Sequence, residues 1–203
     1  MKPGKIKVSG IILAAGTASR MGRTKQLLPF QGTTLLGQVV LNAKQSRIDE
    51  IIVVLGHHAD DIRNRTHLED TITIFNPDFK KGQSTSLIAG IKSVASDSDA
   101  AMFLLADQPF IAAGTINALI CAFTSSKASI GIPYYKNKQG NPVIISKSLF
   151  ARIHTLKRDI GVRSLFQAYK DHILKIPVSD PSVLADVDTI ADYNAILRMI
   201  PSG

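Results

Sequence analysis

A long motif near the N-terminus constrains this chain more than any other feature. The apolar run of residues 8–14 is typical of a buried parallel strand. Small residues, two glycines and three cations follow, in the order Ala15-Gly16-Thr17-Ala18-Ser19-Arg20-Met21-Gly22-Arg23-Thr24-Lys25. Small side chains let backbone amides approach an anion closely, and the cations suit a polyphosphate. The motif therefore predicts a phosphate site after the first strand, with a solvated basic turn as the alternative.

Two common phosphate-binding loops do not fit this motif. A Walker loop requires Gly-Lys-Ser/Thr at a fixed distance after a first glycine, and the motif has no such segment. The dinucleotide fingerprint requires three glycines in register, whereas Gly16 and Gly22 lie six residues apart with no third partner.

The charge balance raises the question of a nucleic-acid partner, since the net charge is +8 and the isoelectric point is near 9.7. The cations form no long run, and the chain has 6% aromatic residues and no Trp, which supplies few groups for base stacking. Phosphorylated small molecules explain the basic balance at least as well. We therefore expect no nucleic-acid partner.

The cysteine count and hydropathy bear on compartment. A single cysteine, Cys121, excludes an intramolecular disulfide and a cysteine-based zinc site, and its apolar helical setting predicts a buried side chain. No apolar stretch reaches the roughly 18 residues of a membrane span, and no signal-peptide pattern is present. We expect a cytoplasmic protein with no membrane partner, monomeric or weakly oligomeric.

Strand-like runs alternate with helical patterns along the chain, which predicts an α/β fold with a mostly parallel sheet in one domain spanning residues 1–203. The predicted strands cover residues 8–14, 49–55, 71–75, 100–106, 128–134, 143–146 and 173–178. The predicted helices cover residues 35–46, capped by Gly32-Thr33-Thr34, and residues 59–66, 84–96, 112–123, 147–155, 161–170 and 189–198.

Three polar segments follow predicted strands: the loop of residues 15–25, the loop of residues 76–86, and Asp107. Ligands of open α/β sheets bind outside the carboxyl ends of strands, so the three segments predict a single cleft. Asp107 could hold a hydrated Mg²⁺, which takes one or two carboxylates together with substrate phosphates. The alternative for Asp107 is a turn cap.

The opening motif, read on through Gln26-Leu27-Leu28-Pro29-Phe30, resembles the signature loop of nucleotidyltransferases with a nucleotide-diphospho-sugar-transferase-like fold. The molybdenum cofactor cytidylyltransferase branch is the nearest match. The resemblance implies a Rossmann-like three-layer α/β/α sandwich. It also implies that Lys25 and Arg20 are catalytic and that the nucleotide is bound by Leu13, Ala14, Ala15, Gly16, Arg20, Met21, Gly22 and Lys25.

Further segments extend the resemblance. Asp107-Gln108-Pro109 and Asp186-Val187-Asp188-Thr189 resemble the family's metal-binding segments, which implies Mg²⁺ on Asp107 and Asp186 and a nucleotide contact for Asp107. Asp188 or Thr189 would also be a natural N-cap of the closing helix. Where the family usually continues with Pro-Glu-Asp, this chain reads Ile190-Ala191-Asp192.

The remaining matches concern the two substrates. Asn76 and the turn before Ser84 and Ser86 resemble the second nucleotide loop, with a plainly capped helix as the alternative. The acceptor side is implied for Gln108, Pro109, Gly140, Pro142 and Arg163. The match around Arg163 is partial, because Arg158 and Val162 replace the family's glycine and alanine.

The resemblance implies transfer of CMP from CTP to the phosphate of a molybdopterin-type acceptor, because Ala14-Ala15-Gly16 matches the CTP-using branch. GTP, or CTP with another phosphorylated acceptor, is one alternative. The other is a non-catalytic partner that binds the cofactor and delivers it to a molybdoenzyme. A transient contact with a molybdoenzyme is also possible for a catalyst.

Overall fold

The fold is built around one twisted sheet in a computed structural model that describes residues 6–16 and 24–198. Its strands are β1 Val8–Ala14, β4 Glu50–Leu55, β5 Ile72–Phe75, β6 Ala100–Leu105, β7 Ile130–Tyr135, β8 Lys138–Gln139, β9 Val143–Ser146 and β10 Ile173–Pro177. They lie in the order β10-β7-β9-β6-β1-β4-β5, with β8 paired to β7. A separate antiparallel pair consists of β2 Pro29–Phe30 and β3 Thr33–Thr34.

Strand β1 lies at the centre and pairs in parallel with β4 on one side and β6 on the other. Its successive apolar residues point to opposite faces, so Ile12 joins one buried cluster and Ile11 the other. Strand β9 runs antiparallel between β6 and β7. The sheet is therefore mostly parallel, as the sequence predicts, with β9 and the two-residue β8 as reversed strands that the sequence did not reveal.

Helices cover both faces of the sheet, which gives the predicted three layers. They are α1 Leu35–Lys44, α2 Ala59–Arg65, α3 Gln83–Lys92, α4 Ala113–Thr124, α5 Phe150–Ile153 and α6 Ile190–Arg198. Helices α1, α2 and α4 pack on one face, and α3 and α5 on the other. Within the described ranges, none of these helices is long and apolar enough to cross a bilayer.

Two of the predicted helices are wrong in extent. Residues 161–170 contain a 3-10 helix at Val162–Leu165 followed by turns. There Ser164 donates its hydroxyl to the carbonyl of Gly161, a local bond that competes with a longer helix. Residues 147–155 form a 3-10 helix at Lys147–Leu149 and then only the short α5.

The prediction for Cys121 is also wrong, because its side chain is exposed. Helix α4 packs on the sheet through Ile116, Leu119, Ile120 and Phe123. These positions define its buried face, and Cys121 lies off it.

Candidate active site

A cleft of about 800 Å³ opens at the carboxyl ends of β1 and β6. Both strands end there because they run in parallel on neighbouring positions of the sheet. The cleft is lined by Leu13, Ala15, Gly16, Lys25, Gln26, Phe79, Lys80, Lys81, Gly82, Gln83, Ser86, Leu105, Ala106, Asp107, Arg158, Asp159 and Asp188. The three segments expected to converge all contribute to this cleft.

Lys25 is the central charged group of the cleft. Its ammonium lies 2.5 Å from Oδ2 of Asp107 and 3.0 Å from Oδ1 of Asp188, and it also donates to the carbonyl of Val187 at 3.3 Å. The side chains of Lys25 and Asp107 are each 18% exposed. This arrangement joins the start of the chain, the end of β6 and the segment before α6 at one point.

The pKa of Lys25 reflects two opposed effects. Burial lowers it, but the charges and hydrogen bonds of Asp107 and Asp188 outweigh burial, so the pKa lies above its ordinary value. Lys25 is therefore a cation at neutral pH, held between two carboxylates until an anionic ligand offers an alternative partner.

Asp186 lies beside this cluster and faces Gln108. Nε2 of Gln108 donates to Oδ1 of Asp186 at 2.5 Å. Burial, followed by the charge of Asp107, raises the pKa of Asp186, against the lowering effect of the Gln108 hydrogen bond. Asp186 is therefore a partly buried carboxylate that feels the negative charge of Asp107.

Several acceptor oxygens near the cluster are buried and have no hydrogen-bond donor among residues 6–16 and 24–198: Oδ1 of Asp107, Oε1 of Gln108 and Oε1 of Gln26. Buried acceptors without donors are costly, and at a functional site they suggest an absent ligand or ion. Within residues 6–16 and 24–198, no group of three or more His, Cys, Asp or Glu side chains is arranged to hold a metal. Asp107 lines the cleft and Asp186 is bonded to Gln108 off the lining; two carboxylates are the number that Mg²⁺ takes together with water and substrate phosphates.

Gln26 anchors the described ends of the motif loop. It is 2% exposed, and its Nε2 donates to the carbonyls of Ala14 and Gly16 at 3.1 and 3.4 Å. Gln26 lies in a short 3-10 helix, Lys25–Leu27, which begins directly after Thr24. This turn directs Lys25 back over the end of β6.

Asn76 organises the start of α3 from below the cleft. It is 3% exposed, and its Nδ2 donates to the hydroxyls of Thr85 and Ser86 at 2.8 and 3.0 Å. Ser86 lines the cleft, whereas Ser84 is 1% exposed and donates its hydroxyl to the carbonyl of Arg158. Of the three residues expected in the second nucleotide loop, Ser86 is thus the one on the cleft wall.

Comparison with known proteins places this geometry in a family. The model for the MobA-like NTP transferase domain matches residues 10–173, which include β1, Lys25 and Asp107. The chain belongs to the family of MobA-like NTP transferase domains.

The MobA-like family includes relatives with different names. The chain is 28% identical to nicotine blue oxidoreductase of Paenarthrobacter nicotinovorans, over 94% of this chain and 96% of that one. It is 28% identical to purine catabolism protein PucB of Bacillus subtilis strain 168, with coverage of 93% and 95%. It is 29% identical to molybdenum cofactor cytidylyltransferase of Escherichia coli K12, with coverage of 90% and 92%.

Solved structures show the same architecture. A homologue of Rv0371c from Mycobacterium sp. strain JC1 shares 32% identity and a TM-score of 0.84, over 95% of this chain and 96% of that one. Rv0371c of Mycobacterium tuberculosis H37Rv, solved as a complex with manganese, shares 29% identity and a TM-score of 0.83, with coverage of 96% and 100%. The predicted nucleotide-diphospho-sugar-transferase-like fold is confirmed.

The residues expected on the acceptor side of a MobA-like domain lie mostly outside the cleft lining. Pro109 is buried and its carbonyl accepts from Asn42 Nδ2 at 2.9 Å. Gly140 and Pro142 are buried as well, and a Cβ on Gly140 would come within 2.4 Å of the carbonyl oxygen of Val183. This close packing supports the segment that carries Asp186, so the turn shapes the site from behind.

Arg163 is exposed and its guanidinium reaches Oδ1 of Asn141 at 3.5 Å, away from the cleft lining. Arg20, Met21 and Gly22 lie outside the described residues.

Sequence reasoning missed part of the cleft wall. Gln26, Lys80, Lys81, Arg158 and Asp159 all line the cleft. The departure at Arg158 from the family's glycine was a signal of a local difference, but it gave no indication of position. The prediction that Asp188 or Thr189 caps the last helix is confirmed for Thr189, whose hydroxyl accepts from the amide of Asp192 at 3.1 Å.

Proposed function

We propose that this protein is a divalent-metal-dependent nucleotidyltransferase that transfers CMP from CTP to the phosphate of molybdenum-loaded molybdopterin, with release of pyrophosphate. The observation that carries the proposal is the position of Lys25, which is bonded to Asp107 and Asp188 at the carboxyl ends of β1 and β6. Membership of the MobA-like family and the cytidylyltransferase relative support it. We place the reaction in the cytoplasm, with Mg²⁺ as the ion.

The reaction needs charge neutralisation more than proton transfer. The acceptor phosphate is already an anion, so no general base is required, and catalysis depends on in-line positioning and on stabilising charge that develops on the leaving phosphates. Lys25 is a permanent cation on the cleft wall and would exchange its carboxylate partners for those phosphates. Arg20 is proposed to assist from the same loop.

Asp107 and Asp186 would hold the metal ion, whose chemistry is to bridge substrate phosphates and offset their charge. Two observations support this assignment: Oδ1 of Asp107 is buried with no donor among the described residues, and burial and the charge of Asp107 raise the pKa of Asp186. The manganese complex of Rv0371c is consistent with a divalent ion in a related fold.

The nucleotide is proposed to extend from Lys25 across the floor formed by Leu13 and Ala15 towards Ser86. Asn76 and Ser84 are proposed to act by positioning that wall, since both are buried and hydrogen-bonded within it. Gln108 is proposed to orient Asp186 through its hydrogen bond. The acceptor-side roles expected for Gly140, Pro142 and Arg163 stay predictions, because none of the three lines the cleft.

The test is pyrophosphate release from CTP, GTP, ATP and UTP, each with Mg²⁺ and molybdenum-loaded molybdopterin. Release with CTP, absent without acceptor, is the expected result. A preference for GTP would keep the reaction and overturn the base assignment. Because one relative is named nicotine blue oxidoreductase, reduction of nicotine blue is measured in parallel, and activity there without any pyrophosphate release would overturn the proposal.

The same protein preparation also tests the alternative role, which is delivery of the cofactor to a molybdoenzyme without catalysis. Stable binding of a molybdoenzyme with no turnover of any nucleotide, even with several phosphorylated acceptors, would replace catalysis with cofactor delivery.

A further inference from the structure

One wall of the cleft is a seam between residues 158–161 and the N-terminus of α3. The carbonyl of Arg158 accepts from the amide of Ser84 at 3.2 Å and from its hydroxyl at 2.6 Å. Oδ1 of Asp159 accepts from the amide of Gln83 at 3.1 Å. These three bonds satisfy donors at the start of the helix that would otherwise lack partners.

The seam is closely packed, which fixes its position. Gly82 has a φ of +113°, and a Cβ there would lie 2.3 Å from the carbonyl carbon of Arg158. A Cβ on Gly161 would lie 2.7 Å from Oε1 of Gln83. Two glycines thus allow the segment to lie against the helix start, and Asp159 is held at a defined place on the cleft wall.

The two oxygens of Asp159 have different surroundings. Oδ1 is taken by the amide of Gln83, whereas Oδ2 has no hydrogen bond or ion pair with any residue of the described ranges. Asp159 lines the cleft and is exposed to it. It therefore presents an acceptor to a ligand.

The seam is distinct from the charged cluster that would take the phosphates. Lys25, Asp107 and Asp188 are bonded to one another, and none of them is bonded to Gln83, Arg158 or Asp159 among the described contacts. The cleft that both groups line also has an apolar surface and further cations: Leu13, Ala15, Phe79, Leu105 and Ala106, with Lys80, Lys81 and Arg158. A nucleotide with its phosphates at Lys25 would place its base over this apolar surface and the base edge at the seam.

We infer that Asp159 selects the nucleobase: Oδ2 accepts a hydrogen bond from the exocyclic amino group of cytosine and repels the O4 carbonyl of uracil. The two bases differ in shape very little, but cytosine offers a donor where uracil offers an acceptor. A carboxylate facing that position favours the donor, since a charged acceptor strengthens the one contact and opposes the other. This inference rests on the proposed function and adds a specificity residue to it.

The variant Asp159→Asn changes one atom of the contact. The asparagine carbonyl keeps the bond from the Gln83 amide. Its NH₂ group takes the place of Oδ2, so a donor faces the base where the wild type has an acceptor. The dissociation constants of Mg-CTP and Mg-UTP are measured by calorimetry without acceptor. We expect the wild type to prefer CTP by about tenfold, the range of one hydrogen bond to a charged group, and the variant to lose or reverse that preference.

Two checks keep the result interpretable. Asp171→Asn, an exposed carboxylate outside the cleft lining, should leave the ratio unchanged. The triphosphate of the pyrimidin-2-one ribonucleoside, which lacks the amino group, should bind the wild type about tenfold more weakly than CTP, and this check needs no folded variant.

The outcomes separate the two proposals. Equal binding of CTP and UTP by the wild type, or the same CTP preference in Asp159→Asn, would overturn the role of Asp159 and leave the nucleotidyltransferase proposal standing. Failure of the wild type to bind any nucleoside triphosphate would overturn both. Pyrimidin-2-one binding as tight as CTP binding would also overturn the role of Asp159.

Discussion

Lys25 Nζ lies 2.5 Å from Asp107 Oδ2, a contact that spans 82 residues of sequence and joins the loop after β1 to the end of β6. The two residues meet because β1 and β6 are parallel neighbours, so their carboxyl ends share one edge of the sheet. A mobile substrate phosphate can compete for the lysine, and a metal ion can compete for the aspartate. The ion pair thus places the two charges that nucleotidyl transfer needs within one contact.

Replacing Lys25 by methionine should slow catalysis strongly. The change removes the cation proposed to stabilise the leaving phosphates, and the loss of one such group lowers kcat by about 100-fold to 1000-fold. Pyrophosphate release under saturating CTP measures the effect. Lys7→Met is the matched control, since Lys7 pairs with Asp97 before β1, at the opposite edge of the sheet. Activity of Lys25→Met within threefold of the wild type would contradict the assignment.

Replacing Asp107 by asparagine should weaken divalent-metal binding. The carboxylate loses its charge and one of its ligand oxygens, while the amide would face the ammonium of Lys25 or the metal with a donor. Mn²⁺ binding in the presence of CTP, followed by the electron paramagnetic resonance signal of the free ion, should show affinity lower by about tenfold or more. Asp97→Asn removes an exposed carboxylate and should bind as the wild type does. Equal Mn²⁺ affinity in Asp107→Asn would remove Asp107 from the metal site.

Substitutions of two glycines by alanine should have opposite effects on stability. Gly82→Ala forces an alanine to a φ of +113° and a Cβ into Arg158, so the free energy of unfolding should fall by about 1–3 kcal/mol. Gly114 lies in the first turn of α4, where an added Cβ would meet no described atom within 4 Å beyond its adjacent residues and its own helix backbone. Gly114→Ala should therefore raise that free energy by about 0.5–1 kcal/mol. Urea denaturation measures both. An unchanged free energy of unfolding in Gly82→Ala would mean that the seam does not require the close approach of Arg158 to residue 82.

Asp186 should make the free energy of unfolding fall as pH rises, whereas a carboxylate in a salt bridge makes it rise. Burial and the charge of Asp107 raise its pKa, so the folded state binds the proton more tightly than the unfolded state. Stability contributed by this group is therefore greatest at low pH and falls as pH rises from the unfolded value, near 3.9, through the raised folded value.

The variant Asp186→Asn isolates that effect. Its carbonyl can still accept from Gln108 Nε2, while the like charge beside Asp107 is gone. With EDTA present, the variant should melt at a higher temperature than the wild type at pH 7, and the difference should shrink at pH 3. A lower melting temperature at pH 7 would show that the Asp186 carboxylate stabilises the fold. Asp171→Asn serves as the control for a simple change of net charge.

The sequence predicted the elements whose signal is local. The apolar run at residues 8–14 and the aspartate after residues 100–106 were enough to expect a shared cleft, and Lys25 and Asp107 do line it. Thr189 could be predicted as a cap because the bond it makes reaches only three residues along the chain.

What the sequence could not predict depends on distant contacts. Asp159 reaches the cleft because residues 158–161 pack on Gly82, which is 76 residues earlier than Arg158 and shares no local pattern with it. The reversal of β9 also follows from its neighbours in the sheet and has no signature in the four residues Val143–Ser146. Cys121 was misplaced because an apolar helical pattern does not by itself identify which face is buried.

The reaction type is tested most directly by following the two labelled phosphates of CTP. The protein is incubated with Mg²⁺, molybdenum-loaded molybdopterin and CTP that carries ³²P at either the α or the γ position. The account predicts that α label appears in the molybdopterin product and γ label in pyrophosphate, with both transfers lost in Lys25→Met. Label from the γ position in orthophosphate or in the acceptor would instead show hydrolysis or phosphoryl transfer, and nucleotidyl transfer would be rejected.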